Sequence, residues 1–199
     1  MLEKLKLLLQ ECIKLIDSQP SIGYGEKPEP KYIWGLIIPH TKNSGGASSK
    51  EKKMNEYEYG LKFASYMPQP RETRDEGGVP LAAKRLKIKG CNASLEGHKN
   101  AYNSTAKGFE ILVMETDLES IRVAEIIAQN FKQANPDRVL RHGNGVKKIK
   151  PGDRGYSNLK SAKDNGMKIA LLAEDFFIDN PAEWIEPSVL AEFWKNNLV

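Results

Sequence analysis

The sequence predicts an α/β domain in which a twisted, mostly parallel sheet is flanked by helices on both faces, with an added N-terminal helix. Three observations lead there. β-type runs at Tyr32–Ile38, Gly90–Gly97, Phe109–Met114 and Lys168–Ala173 alternate with helical patterns along most of the chain, the order expected of parallel strands joined by helical crossovers. The last of these runs is apolar from Ile169 to Ala173, as in a strand covered on both faces. At 199 residues the chain is long enough to bury roughly 70% of its unfolded surface in one core. One main domain, 29–199, is therefore expected after an N-terminal segment, 1–28.

Taken in order, Leu2, Leu5, Leu9, Cys12, Leu15 and Ile16 fall on one face of a helix over residues 2 to 16, with charged side chains opposite. Pro20, Pro28 and Pro30 with Gly23 and Gly25 make residues 18 to 31 a linker. The run at Tyr32–Ile38 ends in Pro39 and His40, and a Gly-, Ser- and Lys-rich loop follows to Lys53. A helix is expected over residues 55 to 66, a short strand at Arg71–Arg74 before the Gly77-Gly78 break, and a helix at Ala82–Lys89. The strand after Gly90 ends at His98. Leu118 to about Gln133 carries an apolar stripe of Ile121, Ala124, Ile127 and Phe131, with Thr116 and Glu119 spaced as a capping box and Pro136 as a stop. Residues 138 to 155 read as a basic, glycine-containing loop. After the strand ending at Glu174, Asn180-Pro181 opens a short helix and a last helix spans about Pro187–Asn196.

Composition narrows the function classes. The longest apolar runs fall far short of the ~20 residues that cross a bilayer, and the leucines at 7 to 9 are interrupted by charge and lack a following small-residue cleavage site, so neither a transmembrane segment nor a secretory signal is expected. Two cysteines, Cys12 and Cys91, supply neither a disulfide framework nor the paired thiolates of a structural zinc site. A net charge of +4 rests on 30 basic against 26 acidic residues, and no nucleic-acid motif accompanies it, which argues against a nucleic-acid partner.

The chemistry-bearing residues cluster by position. His40, His98 and Glu174 each fall just past the C-terminal end of an expected strand, the edge of an open α/β sheet where ligands bind. Two neutral imidazoles and a carboxylate make a catalytic zinc shell with an open fourth position, and a further carboxylate is needed to take a proton from water. Glu56 and Glu174 are the candidates for those two roles. Glu58 is the nearby substitute for Glu56, although two residues along a helix it points roughly to the opposite side. Glu96 and Asn100 alternate with His98 on one strand face, where they would either orient the ligand or touch substrate. His142 reads as an exposed loop residue, and Arg141, Lys147, Lys148, Lys150 and Arg154 as a solvated basic surface.

The motifs, in order, resemble those of the zinc-dependent N-acetylmuramoyl-L-alanine amidases, which include many phage endolysins. The resemblance spans roughly residues 32 to 185. It lies in Leu36-Ile37-Ile38-Pro39-His40 with Ser44-Gly45-Gly46-Ala47; Asn55-Glu56-Tyr57 with Ala64; Thr73-Arg74-Asp75 with Val79, Leu81 and Arg85; Leu95-Glu96-Gly97-His98-Lys99-Asn100-Ala101; Gly108-Phe109-Glu110; and Ala173-Glu174-Asp175-Phe176 with Asn180. The resemblance implies Zn2+ held by His40, Glu56 and His98, with Glu174 as general base and then acid. It implies peptidoglycan as the partner, cut between N-acetylmuramic acid and L-alanine of the stem peptide. With no signal read, the protein would sit in the cytoplasm before release to the cell wall. A zinc amidohydrolase of a small N-acyl amino acid would use the same site, because fold and metal shell do not fix the substrate.

Overall fold

The computed structural model describes residues 31–198. The expected N-terminal helix and the boundary at residue 28 lie outside the described residues.

Eight strands and five α-helices follow one another as β1 (Trp34–Ile37), β2 (Ser48–Ser49), β3 (Met54–Asn55), α1 (Glu56–Ser65), β4 (Arg71–Glu72), α2 (Gly78–Ile88), β5 (Ala93–Asn100), β6 (Glu110–Met114), α3 (Leu118–Ala134), β7 (Val146–Ile149), α4 (Tyr156–Asp164), β8 (Ile169–Phe177) and α5 (Pro187–Lys195), with one 3-10 turn at Pro181–Glu183 before α5. Six strands form one sheet in the order β4-β1-β5-β8-β6-β7. Every pairing in it is parallel except β6 with β8. β2 and β3 form a separate small hairpin. Among the described residues no helix is long and apolar enough to cross a membrane.

The strand period of two sorts the sheet residues onto two faces. Trp34, Leu36, Leu95, Ile111, Ile169 and Leu171 pack with Tyr59 and Phe63 of α1, Ile127 and Phe131 of α3, and Leu190 and Trp194 of α5. Ile37, Leu112, Ala170 and Leu172 pack on the other side against Val79, Ala83 and Leu86 of α2 and Leu159 and Ala162 of α4. The mostly parallel sheet covered on both faces is thus the one the alternation predicts.

Local differences have identifiable causes. The cap of α3 is Asp117, not Thr116: its side chain accepts the Ser120 N–H, while Glu119 accepts from Tyr32 Oη at 2.5 Å. The basic stretch 138 to 155 is not one loop, since Val146 and Ile149 are buried on opposite faces of β7, and the two lysines between them leave no alternation to read. Helix α4 escapes a pattern reading because only Leu159 and Ala162 of its nine residues are buried. α2 starts four residues before Ala82, at Gly78.

Candidate metal centre

His40 lies three residues past the end of β1, after Ile38 and Pro39, in a left-handed backbone conformation with φ of 61°. Its ring turns back over the sheet edge against His98, with centroids 4.8 Å apart. Glu56 is the first residue of α1, buried at 2% exposure. Its place is fixed by Asn55, whose side chain caps the helix by accepting from the Glu58 N–H while the Glu58 carboxylate accepts from the Asn55 N–H. That reciprocal cap occupies Glu58 and leaves Glu56 facing inward.

Glu56 is where the segments meet. Its Oε1 lies 3.2 Å from His40 Nε2 and accepts the Ala47 N–H at 2.8 Å. Oε2 lies 3.2 Å from His98 Nδ1 and accepts the Lys99 N–H at 2.9 Å. Burial opposes its charge, but the close approach of His40 and the bond and charge of His98 win, holding the carboxyl far below the usual range. Although 3.2 Å from Glu56, His40 Nε2 is buried and makes no aligned hydrogen bond. His40, Glu56 and His98 offer one ligand atom each within 4.8 Å of one another and could hold a metal ion.

Space and donor chemistry both fit such an ion. A Cβ on Gly46, whose φ is +78°, would lie 2.5 Å from His40 Nε2 and 2.8 Å from Glu56 Oε1, so only glycine lets the loop pass beside these atoms. The other nitrogen of His98, Nε2, lies 3.0 Å from Glu96 Oε1. Glu96 in turn accepts from Arg74 Nη1 at 2.6 Å and from Asn158 Nδ2. Burial pushes the His98 pKa down, yet the charge of Glu96 and the bonds to Glu56 and Glu96 lift it to about 10. The carboxylates on either side thus favour the protonated imidazole, and a metal bound there would compete with that proton.

His98 and Glu174 do not lie beyond their strands as expected. β5 runs on to Asn100 and β8 to Phe177, because the segments past each site residue bury Lys99, Asp175, Phe176 and Phe177 in the sheet. The two are in register, His98 opposite Glu174, and Glu174 is opposite Glu110 of β6, so three ionisable groups form a row across the sheet. Glu174 Oε2 is buried without a partner, and Oε1 lies 3.8 Å from Arg154 Nη2. Burial raises the Glu174 pKa to about 7, with the Glu56 and Glu110 charges adding to the rise and His98 and Arg154 opposing it.

Asn100 donates from Nδ2 to Glu110 Oε1 at 2.9 Å. His142 is exposed, yet its Nε2 lies 2.6 Å from Glu110 Oε2, so it is tied to the row rather than free in a loop. Glu110, Arg74 and Asn158 also belong to the site; Glu110 and Arg74 stand in the motifs quoted above without a site role, whereas Asn158 carries no sequence signal.

No family model matches the sequence, and no curated protein matches it. Solved structures do match in fold. The N-acetylmuramyl-L-alanine amidase Ami1 from Mycobacterium smegmatis aligns with a TM-score of 0.63 over 84% of this chain and 95% of its own, at 12% identity. The N-acetylmuramoyl-L-alanine amidase from Clostridium difficile 630 gives 0.62 over 85% and 96% at 17% identity. The catalytic domain of the CD27L endolysin targeting Clostridia difficile gives 0.60 over 84% and 96% at 18% identity. The chain shares its α/β fold with these proteins.

Proposed function

We propose that the chain is a zinc-dependent N-acetylmuramoyl-L-alanine amidase of endolysin type, with His40, Glu56 and His98 as ligands and Glu174 moving the proton. The supporting observation is the convergence of three ligand atoms from separate segments beside a buried, unpartnered carboxylate, on a fold shared with amidases. Two imidazoles and a carboxylate are a zinc donor set. When bound, zinc polarises a carbonyl and acidifies water.

The chain's own residues do the rest. Glu96, fixed by Arg74 and Asn158, accepts from His98 Nε2 and so leaves Nδ1 aimed at the Glu56 side as the ligating atom. The Ala47 and Lys99 N–H groups orient the two oxygens of Glu56. Glu174, with its pKa near 7, accepts a proton from the attacking water at Oε2 and returns it to the departing amine of L-alanine. The bond broken joins the lactyl carbonyl of N-acetylmuramic acid to that amine, and peptidoglycan is the macromolecular substrate, reached after release from the cytoplasm.

Zinc-loaded protein incubated with purified peptidoglycan should liberate new L-alanine amino groups and no new sugar reducing ends. Glu174→Gln should abolish release while zinc stays bound, because the amide is nearly isosteric but accepts no proton. Folded, zinc-loaded protein that frees no alanine amine from several wall types would reject the proposal.

A further inference from the structure

A cavity of about 590 Å³, lined by neither Glu174 nor the candidate metal ligands, opens between Asn100, Ala101, Thr105, Arg141, Arg154 and Phe177. Nothing in the proton-transfer role of Glu174 requires it. Two guanidinium groups from opposite ends of the β7 segment border this one space. Arg141 is the better fixed: its guanidinium carbon sits 5.1 Å from the ring centroid of buried Phe177, and its Nε lies 2.9 Å from Glu110 Oε1. That approach is an ion pair without an aligned hydrogen bond, and among the described residues no hydrogen bond engages the terminal nitrogens of Arg141. Arg154 is largely exposed and has only the long 3.8 Å approach to Glu174.

The acids facing these cations are Glu110 and Glu174, the latter only through the 3.8 Å approach to Arg154. Glu110 is engaged by Asn100, Arg141 and His142, which leaves Arg154 and the outer edge of Arg141 to a ligand. A stacked, tethered guanidinium matches a planar carboxylate with two parallel bonds. The apolar floor of Phe177 and Ala101 strengthens such a pair by excluding water.

We propose that this cavity is a carboxylate subsite that takes a free carboxylate on the leaving-amine side of the scissile amide. Resting on the amidase reading, that group is the carboxylate of the D-glutamyl residue next to L-alanine in the stem peptide. Wall whose glutamate is amidated is then a poorer substrate than wall with the free acid. A small N-acyl amino acid would present the same chemistry through its own carboxylate, and the test separates the two sources.

The test measures binding apart from turnover. L-Alanyl-D-glutamate and L-alanyl-D-isoglutamine, which differ by one carboxylate, are titrated calorimetrically into zinc-loaded wild type, Arg141→Lys, Arg141→Gln and Arg154→Gln. Wild type should favour the acid by about tenfold, the strength of one charge-assisted contact. Arg141→Lys should lose most of that preference because it keeps the charge without the fork, and Arg154→Gln, an exposed position, should lose part of it with an unchanged melting temperature. Equal binding of acid and amide by wild type, or a preference untouched in both Arg141→Lys and Arg154→Gln, overturns the subsite. Hydrolysis of N-acetylmuramoyl-L-alanyl-D-glutamate and of N-acetyl-L-alanine is assayed in parallel. Cleavage of the muramoyl compound without the acid preference sinks the subsite alone. Acid preference with cleavage only of N-acetyl-L-alanine sustains the subsite and assigns it to a small acid, sinking the amidase reading.

Discussion

Directly behind the row of site residues lies a buried ion pair whose loss should be among the most damaging single changes in the domain. Lys99 and Asp175 are each about 1% exposed, with Nζ to Oδ2 at 2.9 Å. Lys99 Nζ also donates to Gly97 O at 2.9 Å and sits 4.6 Å from the Tyr59 ring centroid, while Asp175 Oδ1 accepts from Trp194 Nε1 at 2.9 Å. Removing one partner leaves an uncompensated charge in the core, at a cost of about 3–5 kcal/mol. For a domain of this size about 2–4 °C is lost per kcal/mol, so Lys99→Met should melt about 6–20 °C below wild type. Asp175→Asn should be similarly damaged, since its amide would set donors against Nζ. The double variant removes both charges, keeps an acceptor for Trp194 and fills the Lys99 stem with an apolar chain of similar length. It should therefore recover much of the loss. Urea unfolding of the four metal-free proteins, closed as a double-mutant cycle, measures this. A coupling below about 0.5 kcal/mol would refute the claim that the charges hold each other in the core.

Other consequences can be checked alongside. His40→Ala and His98→Ala should each leave zinc near zero by metal analysis, and stoichiometric zinc in a folded double variant would remove the centre. Glu56→Ala should lose zinc, whereas Glu58→Ala should keep it and lose only the returning bond to the Asn55 N–H, at most about 1 kcal/mol in urea unfolding; the reverse pattern would exchange their roles. Gly46→Ala should weaken zinc binding by about tenfold or more, given strain of order 1–3 kcal/mol for a side chain in this backbone conformation, and unchanged competition against a chelator would show that the loop yields. Glu174 is a carboxyl with a raised folded pKa, about 7 against an ordinary 4.5, so in metal-free protein stability falls as pH rises across that window, by on the order of 3 kcal/mol, and stays lower above it. Metal-free Glu174→Gln should thus resist urea better than wild type near pH 8 and equally near pH 4, and coincident midpoints near pH 8 would contradict the burial effect.

The parts of this protein legible in its sequence are those whose signal is local. The apolar run before Glu174 and the stripe of Ile121, Ala124, Ile127 and Phe131 announce a strand and a helix, because burial on two faces or on one leaves a periodic trace. Glu56 over Glu58 follows from helix geometry once the Asn55 cap is seen. What stays hidden depends on partners distant in sequence. α4 buries two residues against α2 and so has no stripe to read. Arg74 and Asn158 meet Glu96 only through the sheet order, and Lys99 looks like a solvated lysine until β8 brings Asp175 to it.

That last pair also explains how the site is held. Along β5 the residues 96, 98 and 100 point to one face and 97 and 99 to the other; along β8 Glu174 and Asp175 divide the same way. The proposed ligand His98 and the acid Glu174 are therefore backed, one residue along each strand, by the ion pair of Lys99 and Asp175. The Lys99 N–H, on the same residue, donates to Glu56 Oε2. A shift of β5 at Lys99 would move the ligand His98 and the bond to Glu56 together. Zinc affinity should accordingly fall in Lys99→Met even though Lys99 touches no ligand through its side chain, and rise again in the double variant. Recovery of stability without recovery of zinc affinity would separate the ion pair from the site.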